Sequence, residues 1–111
     1  MQAVIIYKPV NCGREHKDNI GGIYENISYN DLINEYEIPE NNILLYIPLT
    51  ISGRNYKERQ ADLENKAIEW SNGLGEYPNW SYGELADIQD FFETNSRRYG
   101  LIKTFKAESI I

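Results

Sequence analysis

Two short apolar runs, Ala3-Val-Ile-Ile-Tyr7 and Ile43-Leu-Leu-Tyr-Ile47, each followed within two residues by a proline, do most to restrict how this chain can fold. Each is too short for a buried helix and has no polar residue at alternate positions, which is the pattern of a buried strand. Because both of its faces are apolar, the second run is predicted to lie at the centre of a sheet. Neither run approaches the roughly 20 apolar residues of a membrane-spanning helix. The N-terminal "MQAVIIYKPV" has neither the basic lead nor the small-residue cleavage site of a secretory signal, so a cytoplasmic location is expected.

A chain of 111 residues, 41% hydrophobic and 25% charged, is expected to form one globular domain spanning 1–111. Its single cysteine, Cys12, permits neither an intramolecular disulfide nor a multi-cysteine zinc site, so stability has to come from packing. Abundant Ile, Asn, Lys, Glu and Tyr fit an AT-rich coding sequence, such as that of a low-GC bacterium, its phage or a mobile element.

Helices are placed by caps and periodicity. Ser28 with Asp31, followed by Leu32, Ile33 and Tyr36, predicts a short helix that ends before Pro39. Asn55 with Glu58 opens a long helix over 55–72, with Tyr56, Leu63, Ala67 and Trp70 on its apolar stripe, Asp62 within reach of Lys66, and Gly73 as the stop. The stretch "GEYPNWSYGEL" then holds the start of the next helix. With Ser81 as N-cap, Glu84 completes a capping box, and Trp80 and Leu85 have the spacing of a hydrophobic staple. Leu85, Ile88, Phe92 and Tyr99 continue the face as far as Gly100. Residues 101–106 are predicted as a final strand.

Residues 8–22, with Gly13, Gly21 and Gly22, are predicted as a long loop, and residues 23–27 as an additional short edge strand. A helix between the first two firm strands favours a parallel crossover. The expected fold is α+β, or small α/β, with a three- to four-stranded mixed sheet packed by two long helices and one short helix.

The net charge of −6 is unevenly placed. Residues 21–50 hold Glu25, Asp31, Glu35, Glu37 and Glu40, and residues 67–96 hold Glu69, Glu76, Glu84, Asp87, Asp90 and Glu93; neither block contains a Lys or Arg. Nucleic-acid affinity depends on cations against phosphates, so direct binding of DNA or RNA is not expected. A negative surface steers instead toward a basic protein, including the basic groove of a nucleic-acid-binding protein.

The loop carrying Cys12, Arg14, His16 and Lys17 is the one place where a nucleophile or a phosphate site could be assembled. It matches neither a cysteine-phosphatase loop nor a GxxxxGK loop. Acid pairs such as Asp87 with Asp90 share one helix face, whereas hydrolytic carboxyls flank a substrate from opposite sides. A lone histidine builds no His-rich metal centre, and neither metal nor cofactor is expected.

The tyrosines and tryptophan of residues 75–85 are interface-forming residue types. The leading expectation is therefore a small non-enzymatic protein-binding module using Tyr77, Trp80, Tyr82, Glu84, Asp87 and Asp90 against a basic partner. Its most specific form is an inhibitor of a host defence nuclease, anti-CRISPR-like, acting by steric block or nucleic-acid mimicry. A small-ligand, phosphate-binding or enzymatic domain built on Cys12, Arg14, His16 and Lys17 is the alternative. Self-association through the final strand or the Ile110-Ile111 end is the third reading.

Overall fold

The first apolar run becomes the middle strand of a three-stranded sheet. In a computed structural model, which describes residues 1–9, 19–108 and 110, β1 (Gln2–Tyr7) lies between β2 (Ile20–Glu25) and β3 (Ile43–Pro48). Both pairings are antiparallel. Side chains alternate along β1, so Val4 and Ile6 point to one face and Ala3 and Ile5 to the other. All four are completely buried.

Each face has its own cover. Val4 and Ile6, with Leu45 and Ile47, pack against Leu63, Ala67 and Trp70 of α2 (Tyr56–Gly73), Ile88 and Phe92 of α3 (Tyr82–Tyr99), and Phe105 of α4 (Ile102–Ala107). Ala3 and Ile5 pack against Leu32 of the short α1 (Tyr29–Asn34) and against Ile38 behind it. The result is a small α+β fold with, among the described residues, three strands and four α-helices.

The helix starts follow the local chemistry of the sequence. Ser28 Oγ accepts from Asp31 N at 3.1 Å, Asn55 Oδ1 from Glu58 N at 2.9 Å, and Ser81 Oγ from Glu84 N at 3.1 Å. Each such cap is worth about 1 kcal/mol. Lys66 Nζ meets Asp62 at 2.6 Å one turn away, which gives a lysine side chain that is only 9% exposed a carboxylate partner. Gly100 adopts the left-handed conformation (φ 69°) and ends α3.

Four expectations need correction. The sheet is antiparallel throughout, not mixed, because β2 is a full strand that reverses the chain before α1. The helical crossover therefore joins β2 to β3, which run parallel on either side of β1. Gly21 and Gly22 lie in β2, not in a loop. Among the described residues β3 is an edge strand: helices on both faces of the sheet bury an apolar run that has one strand neighbour there. Residues 101–106 are not a final strand: Leu101 is the N-cap of α4 and the rest lie in that helix. Leu101 and Phe105 are four apart, a spacing that suits a helix as well as a strand, and Phe105 is drawn against Phe92, with ring centroids 6.2 Å apart. Residues 102–107 are therefore not a strand that could pair with a second copy.

Candidate interaction surface

Between α2 and α3 the chain makes one 3-10 turn (Leu74–Glu76) and then runs through Tyr77 and Trp80 to the Ser81 cap. Trp80 sits edge-on to two rings, 5.3 Å from Trp70 at 69° and 5.0 Å from Tyr77 at 86°. Leu85, the other half of the expected staple, remains 37% exposed. The Trp80 indole N–H is buried with no hydrogen-bond partner among the described residues, which leaves it the weak acceptor faces of the neighbouring rings.

Tyr77 is laid on the backbone of β2. A Cβ at Gly21 would stand 2.7 Å from Tyr77 Cγ and Cδ2, so only a glycine lets the ring come this close. Beside it, Asn19 Nδ2 donates to the Glu76 carbonyl at 2.7 Å. Glu84 has two tasks. Oε1 accepts from Ser81 N to complete the capping box, and Oε2 accepts from Ile23 N, each at 3.2 Å. Ile23 N faces away from β1, so this carboxylate satisfies a donor on the outer edge of the sheet. A buried unpaired N–H would otherwise cost about 1 to 3 kcal/mol.

The six residues singled out in this region therefore divide. Tyr77, Trp80 and Glu84 are engaged inward and fix where α3 begins. Tyr82, at the first position of α3, is 90% exposed. Asp87 and Asp90 are exposed on the solvent half of the same helix and form no ion pair among the described residues. Glu93, one turn further on, is neutralised by Arg97 at 2.8 Å.

Asp87 and Asp90 also line an open groove of about 400 Å³ together with Phe91, Leu49, Gln2 and Asn95. No cation lines it. Sequence reading missed Leu49 and Gln2, since nothing local brings the start of β1 and the end of β3 to the flank of α3. The backbone bond from Leu49 N to Gln2 O, 2.8 Å, is what sets them side by side.

Cys12, Arg14, His16 and Lys17 lie outside the described residues, as does Ile111. Among the described residues no three His, Cys, Asp or Glu side chains converge as metal ligands would. No helix among them is long and apolar enough to cross a membrane.

Three tyrosines near the α1 face hold their protons more tightly than a free phenol. Burial is the main cause for each, followed by Tyr7, Tyr77 and Glu84 at Tyr24, by Glu40 at Tyr29 and by Asp31 at Tyr46. Tyr46 also donates its hydroxyl to the Ile27 carbonyl at 2.8 Å. In the unfolded chain these groups ionise near 10.0, so the folded state binds more protons above that pH. Their contribution to stability is intact below about pH 10 and is lost as pH rises through the higher folded values. Urea midpoints should accordingly fall as pH rises above about 10, and less so in Tyr24→Phe. An identical fall in Tyr24→Phe would contradict the role given to Tyr24.

No protein family, curated protein or solved structure matches the chain, so its function has to be read from its own residues.

Proposed function

We propose that the protein is a small acidic, non-enzymatic binding module that docks on the basic surface of another protein. The outer face of α3 makes the contact. The observation that supports this most is the groove beside Asp87 and Asp90, where two exposed carboxylates share an open surface with the apolar side chains of Phe91 and Leu49 and with no Lys or Arg among its described lining residues. Such a groove suits a Lys or Arg side chain, whose charged head meets the carboxylates while its methylenes lie on Phe91 and Leu49. Tyr82 adds a large exposed ring at the helix start, a residue type enriched among interface anchors.

A protein that normally grips nucleic acid presents this kind of basic surface. In its most specific form the module is an inhibitor of a host defence nuclease, anti-CRISPR-like, carried by a phage or mobile element and occupying the nucleic-acid groove. The two long acidic blocks of sequence, neither interrupted by a Lys or Arg, support mimicry of a polyanion.

Affinity capture from nuclease-treated lysate of the source organism tests the reading, with Asp87→Lys/Asp90→Lys as the parallel bait. The expected result is a basic protein that the wild type retains, the variant does not, and added DNA displaces. Equal capture by both baits would reject the α3 face.

A further inference from the structure

A second surface stands independently of the α3 reading. With the strand order β2-β1-β3, the sheet has two outer edges, and they are treated differently. The β2 edge is closed by the Glu84 carboxylate on Ile23 N and by the Tyr77 ring over Gly21. Among the described residues, no strand pairs with the outer edge of β3. That edge borders an open groove of about 520 Å³, with residues 43–46 along its floor, Tyr29 on the α1 side, and Glu69 and Glu76 on the α2 side. We infer that the β3 edge is a docking site for an extended protein segment bearing basic side chains, which enters as a fourth strand.

The register shows which groups are available. Leu49 N donates to Gln2 O at 2.8 Å, and Val4 and Leu45 stand opposite Ile47 and Ile6. Hydrogen-bonded and non-bonded pairs alternate along an antiparallel ladder, so Leu49, Ile47 and Leu45 face β1, and Tyr46 turns its N–H and C=O outward. Leu44 is the extra residue of an irregularity in the ladder, and Pro48 has no N–H. Both limit pairing to a short stretch around Tyr46, which suits a peptide segment better than a long strand.

Side chains of an added strand alternate between the two walls. On one wall they would meet Glu69 and Glu76, both exposed, and on the other the Tyr29 ring. Among the described residues, the groove has no cationic lining residue, and its walls come from the two acidic blocks of the sequence. The occupant that fits carries Lys or Arg at every second position with apolar residues between. A second copy of this chain would bring the same acids against each other, which disfavours self-pairing.

The probe is a capped eight-residue peptide of alternating lysine and valine, compared with its glutamate/valine counterpart and with a fully backbone-N-methylated lysine/valine version. The lysine/valine peptide should bind and slow hydrogen exchange at the Tyr46 amide, and the other two should bind at least tenfold more weakly. Glu69→Lys/Glu76→Lys should reverse the preference between lysine and glutamate peptides, and Asp87→Lys/Asp90→Lys should leave it intact. Four outcomes would overturn the proposal: equal binding of the N-methylated peptide, unchanged exchange at Tyr46, loss of binding in Asp87→Lys/Asp90→Lys, or a β3-paired dimer of the free protein in sedimentation.

Discussion

Trp80→Ala is expected to destabilise the protein by about 3 kcal/mol, while Tyr82→Ala, two residues further on, changes stability by less than about 0.5 kcal/mol. The contrast follows from where the two rings lie. Trp80 links Trp70 of α2 to Tyr77, and Tyr77 rests on Gly21 of β2. Its removal opens a cavity against a tryptophan that is only 7% exposed, and frees the turn that sets Ser81 as the α3 cap. Tyr82 is 90% exposed and has little packing to lose. Urea denaturation of the two variants gives both numbers. Equal losses would mean that the joint carries no special structural role.

The second large effect is on binding. Asp87→Lys/Asp90→Lys, with Tyr82→Ala added, should weaken the complex with the captured basic partner by about 100-fold or more and leave the urea midpoint nearly unchanged. Reversing two exposed carboxylates turns attraction into repulsion at the groove, and like charges across an interface cost several kcal/mol. The tyrosine contributes as an anchor, for which truncation costs about 2 kcal/mol where it is a hot spot. These side chains are exposed, so affinity can change without the fold. Because Trp80 and Glu84 are structural, substituting them would lower binding only by disturbing the helix that carries Tyr82, Asp87 and Asp90. Isothermal titration of each variant, read together with its urea midpoint, separates the two routes.

What could be read from the sequence was local. The Ser28, Asn55 and Ser81 caps, the stripe Leu63, Ala67 and Trp70, and the Gly100 stop all depend on residues within a few positions of one another, and all are present in the fold. What was misread depends on contacts between distant segments. Gly21 and Gly22 have turn chemistry by themselves, yet they belong to a strand because Tyr77 and Glu84, more than fifty residues away, need bare backbone beside them. Starting that edge strand at residue 23 instead of Ile20, and leaving it out of the chain reversal, also misplaced the crossover and made β3 central instead of peripheral. Residues 101–106 carry an apolar pattern that two periods fit equally, and the pull of Phe92 on Phe105 decides for a helix.

The candidate site was legible in the same partial way. Composition singled out residues 75–85 as unusually aromatic and residues 67–96 as free of Lys and Arg. It could not separate Tyr77 and Trp80, which face inward, from Tyr82, which faces out, since all three are aromatic residues near a helix start. Burial makes that distinction, and burial is set by β2 and α2 together. Asp87 and Asp90 read as a solvated helix face, and they are one. The groove they border exists only because Gln2 and Leu49 are brought alongside α3.

The most direct test of the central claim, that the carboxylates of the α3 face draw a basic protein to it, is the association rate constant with the captured partner at rising ionic strength. For the wild type this rate should fall steeply between about 50 and 500 mM salt, as the Debye length shortens from more than 10 Å to below 5 Å. For Asp87→Lys/Asp90→Lys it should start lower and change little. A wild-type rate indifferent to salt, or a variant that associates as fast as the wild type, would contradict it.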